Sequence, residues 1–187
     1  MNFEEDIKKC IEVLQAGGTI LYPTDTVWGI GCDATNAEAV KKVYNLKKRD
    51  DSKALIVLVA SEREVMQYTA AVDLSLFDYL ESTTRPTTVI YEHGLGFAEN
   101  LVAADGSIAI RICDEAFCKA LIKRFGKPIV STSANISGEP AAPFYASISD
   151  AIKTGVDYTV QYRQDDNEPT QPSSIIRWTN GTIEVIR

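Results

Sequence analysis

The sequence predicts one α/β domain built on an open, twisted, mixed sheet with flanking helices. Strand-like and helix-like segments alternate through all 187 residues, which is the pattern of α/β architecture. The run "ALIVLVA" (54–60) is apolar throughout and of strand length, as expected for a central strand buried on both faces. Two strands around Asn180-Gly181 form a hairpin signal, so the sheet contains antiparallel pairs. A chain of this length fits one sizeable core, and residues 1–187 are taken as a single domain.

Helices are predicted where apolar residues recur at helical spacing between start and stop signals. The predicted helices cover residues 3–16, 37–47, 61–68, 73–82, 115–125 and 147–155. The start and stop signals are Gly17-Gly18, Asn36, the Ser61–Glu64 capping-box pair, Asp114 and Gly126.

Further strands are predicted at residues 19–22, 87–91, 107–112, 127–130 and 156–162. In "SIAIRI", alternation places Ile108 and its apolar neighbours on one face and Ser107, Ala109 and Arg111 on the other. The acidic, proline-containing segment 163–173 is expected to be a mobile surface loop.

Composition disfavours several classes of function. The formal charge of −7 argues against nonspecific binding of duplex DNA, although a local basic patch stays open. No apolar run approaches the roughly 20 residues that cross a bilayer. The acidic N-terminus is unlike a signal peptide, so we expect a cytoplasmic protein.

The four cysteines lack metal or disulfide spacing and are expected to be reduced. The only histidine, His93, lies in a predicted turn, which disfavours a histidine-rich zinc site and a Ser-His-Asp triad.

The stretch "LYPTDTVWGIG" (21–31) places polar side chains in the middle of an apolar segment. In an extended chain, Thr24 and Thr26 would present hydroxyls on one side, and Asp25 would point the other way to anchor the loop. This pattern predicts contact with a polar ligand. The alternative is a threonine-rich edge strand followed by a turn.

A basic cluster lies where a predicted helix ends and the central strand begins. It contains Lys47, Lys48, Arg49 and Lys53. Four cations within seven residues predict a clamp for phosphate or carboxylate. The alternative is compensation of the helix dipole on a solvated face.

Two further segments carry candidate binding groups. "STSANISGEPAAP" (131–143) follows a strand, and ligands of open α/β sheets bind beyond strand ends. Its hydroxyls and amide suit a nucleotide or an amino acid, and the alternative is a serine-rich turn with internal hydrogen bonds. Arg111 interrupts an apolar strand, so it either presents its guanidinium to a carboxylate or faces solvent.

In order and spacing, "YPTDTVWGIG", "KKRDDSKALIVLV", "SIAIRI" and "TSANISGEP" resemble the motifs of the YrdC/Sua5 family. The resemblance extends from about residue 3 to the C-terminus. It implies a YrdC/RibB-like sheet with a concave, basic cleft, in a short-form threonylcarbamoyl-AMP synthase. Such enzymes use L-threonine, bicarbonate or CO2, and ATP, with Mg²⁺ expected. The product serves N6-threonylcarbamoyl modification of adenosine 37 in tRNA through a downstream transferase complex.

The resemblance also implies roles for individual positions. The expected threonine contacts are Thr24, Thr26, Arg111, Ser133 and Ser173. The expected nucleotide contacts are Lys47, Arg49, Lys53, Ser107, Asn135 and Arg187. Lys47, Arg49 and Ser133 are the expected catalytic residues, and no residue is assigned as a metal ligand.

The chain departs from the family pattern at several positions. Asp50 replaces a common proline, and Leu58 stands where some synthases place a histidine. Pro143 replaces a hydroxyl residue that often contacts ATP. The P-G-P-x-T stretch appears as "TRPTT", with Arg85 in place of the glycine. These departures leave room for a paralogue whose activity differs.

The implied reaction needs positioning and neutralisation of phosphate charge rather than a histidine base or a cysteine nucleophile. The first alternative is a YrdC-like paralogue that binds double-stranded RNA, tRNA or a nucleotide without this synthesis. The cations between Lys41 and Lys53 keep it open. The second alternative is a hydrolase or carbamoyl-transfer enzyme with Ser133 as nucleophile, which lacks an evident base.

Overall fold

The computed structural model describes residues 3–50 and 54–187. Segments in which apolar residues recur at helical spacing form α-helices in it. The helices lie where the sequence predicts them. They are α1 (Glu4–Gln15), α2 (Ala37–Lys47), α3 (Glu62–Tyr68), α4 (Ser75–Ser82), α5 (Ala116–Phe125) and α6 (Asp150–Gly155), with a 3-10 turn at Tyr145–Ser147. Across the described ranges, no helix has the length and apolar character that a bilayer-spanning segment requires.

The helix caps agree with the sequence prediction at α2 and differ at α5. Asn36 caps α2, its side chain accepting hydrogen bonds from two backbone N–H groups. At α5, Glu115 rather than Asp114 accepts from the backbone N–H of Cys118, at 2.8 Å. Helical dihedrals begin only after Glu115, so this residue is the extended neighbour whose carboxylate reaches the first turn.

The strands form one mixed sheet. They are β1 (Ile20–Tyr22), β2 (Gly29–Gly31), β3 (Ile56–Val59), β4 (Thr87–Tyr91), β5 (Ile108–Ile112), β6 (Ile129–Ser133), β7 (Tyr158–Thr159), β8 (Ser174–Thr179) and β9 (Thr182–Val185). Their spatial order is β7-β1-β2-β6-β3-β5-β4-β8-β9. The pairs β1–β7, β3–β5 and β4–β8 are parallel and the other neighbours are antiparallel.

Strand β2 is absent from the sequence prediction, and β7 is shorter than predicted. The reason for β2 lies in its glycines, which give no strand signal. A Cβ added at Gly31 would lie 2.6 Å from the Tyr22 ring and 2.7 Å from the carbonyl oxygen of Val130. Glycine is therefore required there because two neighbouring strands approach closely.

The centre and the end of the sheet match the prediction. β3 lies between β6 and β5, with Val57, Leu58 and Val59 fully buried. The β8–β9 turn has positive φ at Asn180 and Gly181, as a two-residue hairpin requires. Helices α3 and α5 pack against β3, and α1 packs against α5 and β1.

Candidate active site

A cavity of about 480 Å³ opens on the sheet face that carries Arg111. Ile56 pairs with Ala109 on β5 and with Ser131 on β6, so these three side chains share that face. The cavity brings together residues from distant segments of the chain. The predicted site residues that line it are Thr26, Arg49, Arg111, Ser133, Asn135, Ser173 and Arg187.

The threonine motif forms a turn rather than the extended strand that the sequence suggests. The hydroxyl of Thr24 donates to the carbonyl of Val27 at 2.8 Å, and its oxygen accepts from the backbone N–H of Thr26 at 3.0 Å. The two threonine hydroxyl oxygens are also 3.0 Å apart. The prediction that the hydroxyls of Thr24 and Thr26 lie on the same side of the chain is confirmed. The cause is a turn closed by the hydrogen bonds of the Thr24 hydroxyl, not an extended strand. The edge-strand alternative is wrong, since β1 lies between β7 and β2.

The two threonine hydroxyls differ in what they can still bind. Because Thr24 donates to Val27, the hydrogen between the two threonine oxygens belongs to Thr26. The oxygen of Thr24 then accepts two hydrogen bonds and is saturated. The oxygen of Thr26 accepts one, from Arg111 at 3.2 Å, and keeps a free lone pair. Thr26 lines the cavity, whereas Thr24 fixes the turn behind it.

Arg111 is buried, with 4% of its surface exposed, so the solvent-facing alternative is wrong. Its Nη2 donates to Asp25 Oδ1 at 2.9 Å and to Thr26 Oγ1 at 3.2 Å. Its Nε is buried and has no hydrogen-bond partner among the described residues. A buried guanidinium N–H costs free energy unless an acceptor reaches it. Because Arg111 lines the cavity and only its Nη2 is hydrogen-bonded within the described part of the chain, the remaining guanidinium N–H groups suit an anionic ligand such as a carboxylate.

Lys47 closes the end of α2 and is 1% exposed. Its ammonium donates to the carbonyls of Ser133 at 2.5 Å and Asn135 at 2.7 Å, and its own carbonyl accepts from Ser137 N–H at 2.8 Å. Burial, and secondly the charge of Arg49, lowers the pKa of Lys47 to about 8. Lys47 therefore holds the polar loop from behind rather than lining the cavity.

The predicted basic clamp is divided in the structure. Arg49 lines the cavity and donates from Nη2 to the carbonyl of Ala54 at 2.9 Å. Lys48 is exposed in a left-handed conformation at the C-cap of α2. Lys53, the fourth predicted cation, lies outside the described residues.

The loop after β6 retains a free acceptor for a ligand. The Asn135 Nδ2 group donates to the carbonyls of Ile136 at 3.0 Å and Glu139 at 2.7 Å. These bonds are the internal ones that the serine-rich-turn alternative predicts. Yet Asn135 Oδ1 is buried with no partner in the described part of the chain, and the residue lines the cavity. A hydroxyl or amine of a nucleotide would satisfy it.

Ser173 and Arg187 close the far side of the cavity. Ser173 is 1% exposed, and its hydroxyl oxygen lies 2.8 Å from that of Thr88. Arg187 Nη2 donates to the carbonyl of Ser173 at 3.1 Å. Burial lowers the pKa of Arg187, and the charges of Arg85 and Arg111 lower it further. Ser107 is buried at the start of β5 but does not line the cavity.

Sequence reasoning missed Thr88 at this site, and it placed Ser131 in the polar loop after a strand rather than within the strand. Ser131 lines the cavity because β6 extends beyond the predicted apolar strand into the serine-rich stretch. Thr88 supports Ser173 through the hydroxyl pair described above. Only the alternation within "TTVIY" could have signalled Thr88. Among the described residues, no group of three or more His, Cys, Asp or Glu side chains could hold a metal ion.

The open mixed sheet and this cavity define an α/β protein with a preformed pocket lined by hydroxyl, amide and guanidinium groups. The Sua5/YciO/YrdC family model, described as "Telomere recombination", matches residues 12–187. The chain therefore belongs to the Sua5/YciO/YrdC family.

Two relatives with a common name and two solved structures illustrate the likeness. The threonylcarbamoyl-AMP synthase of Pseudoalteromonas translucida is 30% identical over 186 residues, 98% of each chain. That of Saccharophagus degradans is 36% identical over 137 residues, 73% of this chain and 72% of the relative.

The likeness to solved structures concerns the fold. Escherichia coli YciO matches with a TM-score of 0.84 at 22% identity, covering 98% of this chain and 88% of that one. P. abyssi Sua5 complexed with L-threonine matches with a TM-score of 0.86 at 20% identity. That match covers 98% of this chain but only 54% of the Sua5 chain, so this chain spans about half of Sua5.

Proposed function

We propose that this protein is a threonylcarbamoyl-AMP synthase, which makes threonylcarbamoyl-AMP and pyrophosphate from L-threonine, bicarbonate or CO2, and ATP. The observation that carries this proposal is the buried Arg111, which lines a cavity together with hydroxyl, amide and guanidinium groups and whose described hydrogen bonds both come from Nη2. An amino acid and a nucleotide together require this combination. Relatives that align with most of this chain bear the name of the same activity.

Thr26, Arg111 and Ser173 form what we call the amino-acid end of the cavity. Arg111 would bind the threonine carboxylate through the guanidinium N–H groups that Asp25 and Thr26 leave free. The free lone pair of Thr26 would accept a hydrogen bond from the amine or the hydroxyl of the substrate. Ser173 would contribute a second hydroxyl. Holding the amino acid by both groups would direct its nitrogen towards the nucleotide, which is the positioning that this chemistry requires.

Arg49, Ser133, Asn135 and Arg187 form what we call the nucleotide end, which meets the amino-acid end where Arg187 donates to the carbonyl of Ser173. The threonine amine would add to CO2 and release a proton, giving an N-carboxylate. An oxygen of this carboxylate would attack the α-phosphorus of ATP, and the bond to the β-phosphate would break as pyrophosphate leaves. Arg49 and Arg187 would balance the phosphate charge, while Lys47 holds the loop that carries Ser133 and Asn135.

Mg²⁺ would enter with the triphosphate and keep part of its water shell, since it is commonly bound through substrate phosphates. The acid and thiol side chains of the described chain do not form a cluster fitted to hold it. The activated product would be consumed by a transferase that moves the threonylcarbamoyl group to adenosine in tRNA. This role places the protein in the cytoplasm, with tRNA or its transferase as downstream partner.

The two alternative functions receive less support from the geometry. Binding of RNA through the basic cluster would rest on exposed cations such as Lys41 and Lys48, because Lys47 is buried and bonded to carbonyls, and the formal charge of −7 disfavours a polyanionic partner. A serine nucleophile at Ser133 would need a base, and His93 is exposed and does not line the cavity.

Pyrophosphate release from ATP, Mg²⁺ and bicarbonate, measured with and without L-threonine, tests the proposal. We expect release that depends on threonine and falls when L-valine, which lacks the hydroxyl, replaces it. Release that is equal without threonine would contradict the proposal and favour a nucleotide hydrolase. Tight binding of tRNA without any release would favour the RNA-binding paralogue.

A further inference from the structure

We infer that Arg85 is a positioning residue that fixes Ser173 at the amino-acid end of the cavity. It does so by holding the segment 163–173 through the carbonyl of Pro172. The consequence for substrate rests on the proposed function, because Ser173 is proposed to touch threonine. The anchoring itself is a property of the protein without ligand and can be tested alone.

The contact is direct. Arg85 lies two residues before β4, and its Nη2 donates to the carbonyl of Pro172 at 3.0 Å. The parallel ladder between β4 and β8 begins one step further on, where Thr87 pairs with Ser174. The backbone N–H of Ser174 donates to the carbonyl of Pro86 at 3.0 Å. Arg85 therefore acts at the point where the ladder ends and the irregular segment begins.

The chain cannot close this end of the ladder with backbone groups alone. Pro86 and Pro172 both lack an N–H, so neither can donate to the facing strand. The carbonyl of Pro172 would then need water or a side chain as its donor. The guanidinium of Arg85 supplies that donor, and the guanidinium of Arg187 does the same for the next carbonyl, that of Ser173, at 3.1 Å.

The anchored carbonyl adjoins a substrate-facing hydroxyl. Ser173 directly follows Pro172, is 1% exposed, and lines the cavity with its hydroxyl 2.8 Å from Thr88. Because the two residues share a peptide bond, a shift of Pro172 would change the backbone dihedral angles that direct the Ser173 hydroxyl. The preceding residues 163–171 contain no helix or strand. On that side of Ser173, Arg85 acts together with the Thr170 hydroxyl, which donates to the carbonyl of Pro143 at 3.3 Å, while β8 holds the other side.

Arg85 acts through Pro172 rather than on the ligand. It is exposed and lines a separate cleft of about 880 Å³ on the far side of the Asp25–Arg111 pair. It is absent from the lining of the 480 Å³ cavity. An uncharged donor at this position, as in Arg85→Gln, therefore separates two roles. It should keep the anchoring if Arg85 acts by its hydrogen bond, and lose it if Arg85 acts by its charge alone.

The test compares Arg85→Ala, Arg85→Gln and Arg85→Lys with the matched control Arg63→Ala. Arg63 lines the same 880 Å³ cleft but makes no hydrogen bond to segment 163–173 among the described residues. Hydrogen–deuterium exchange of peptides covering residues 164–176 is measured without ligand, and L-threonine binding is measured by calorimetry. We expect faster exchange in Arg85→Ala and about two- to tenfold weaker threonine binding, the effect of one lost hydrogen bond.

Partial rescue of both readouts by Arg85→Gln and Arg85→Lys is expected, because each keeps an N–H donor. Unchanged exchange in Arg85→Ala would overturn the inference whatever the protein binds. Rescue by Arg85→Lys alone would overturn it in favour of an electrostatic role. If the wild-type protein binds no L-threonine, the proposed function fails, and the exchange data still decide whether Arg85 anchors the segment.

Discussion

The two ends of the cavity are built differently. At the amino-acid end, Thr26, Arg111 and Ser173 are each at most 5% exposed and are held by hydrogen bonds to other side chains. At the nucleotide end, Arg49, Ser133, Asn135 and Arg187 are partly or fully exposed and come from loops and the ends of elements. The small ligand would therefore meet a rigid, preformed site, whereas the larger ligand would meet side chains that can adjust.

The difference extends to how each end handles charge. Arg111 is neutralised by Asp25 within the protein, at 2.9 Å, and keeps guanidinium N–H groups, that of Nε among them, without a partner in the described part of the chain. At the nucleotide end the buried charge belongs to Lys47, which faces two backbone carbonyls rather than a carboxylate. Under the proposed function, the first arrangement would select one anionic group, whereas the second sets the shape of a loop.

Substitution of Arg111 by glutamine should have the largest effect, because it removes the charge at the rigid end. We expect threonine binding to weaken by on the order of 100-fold, as when one partner of a buried charged contact is removed. ATP binding should change much less, since the described hydrogen bonds of Arg111 go to Asp25 and Thr26 and not to the nucleotide end. Calorimetric titrations with each ligand measure the two affinities separately.

The double variant Arg111→Gln/Asp25→Asn separates binding from folding. It removes the carboxylate that the single variant leaves without its cation, so the thermal midpoint should recover while threonine binding stays weak. Threonine binding within threefold of wild type in either variant would contradict the role given to Arg111. It would also contradict the contrast between a rigid amino-acid end and an adjustable nucleotide end.

Substitution of Lys47 by methionine should have the next largest effect and should act at the opposite end. The carbonyls of Ser133 and Asn135 lose their donor, which is expected to cost roughly 2 kcal/mol or more in the free energy of unfolding. ATP binding should weaken about tenfold as the loop loses its support, while threonine binding is retained. Urea denaturation and the same titrations measure these effects, and Lys41→Met, at an exposed position on α2, is the control.

The pH dependence of stability gives an independent check on Lys47. Its pKa is lowered to about 8 in the folded protein from an ordinary value of 10.5, so the unfolded chain binds more protons between these pH values. The free energy of unfolding should therefore gain a contribution as pH rises from 8 towards 10.5, and this contribution should be missing in Lys47→Met. Identical pH profiles would show that Lys47 is not held in a desolvated site.

The sequence was sufficient for those elements that local signals determine. Apolar periodicity and the cap at Asn36 predicted α2, and the Asn180-Gly181 pair predicted the final hairpin. It was insufficient for β2, because Gly29–Gly31 pairs with strands about 10 and 100 residues away in the sequence. Its glycines are required by the close approach of those neighbouring strands, and they produce no local strand pattern.

The site shows the same division. Alternation in β5 predicted that Arg111 and Ala109 share a face, since a strand fixes side-chain direction. At the end of α2, spacing could not separate Lys47 from Arg49, because the left-handed C-cap at Lys48 turns one cation behind the loop and the other into the cavity. The sequence also cannot show that the hydroxyl oxygen of Thr24 accepts two hydrogen bonds while that of Thr26 accepts one, because the two threonines look equivalent there.

The threonine pair gives the smallest predicted effects and tests the rigid end at the level of single hydrogen bonds. Thr26→Val removes the oxygen with the free lone pair, so threonine binding should weaken about five- to tenfold.

Thr24→Val removes the hydroxyl that closes the turn, so it should lower the free energy of unfolding by roughly 1 kcal/mol through its two backbone contacts. Its effect on binding should follow only from the displaced turn. Calorimetry and urea denaturation on both variants distinguish these outcomes. A larger direct loss of threonine affinity in Thr24→Val, with stability intact, would show that Thr24 rather than Thr26 meets the substrate.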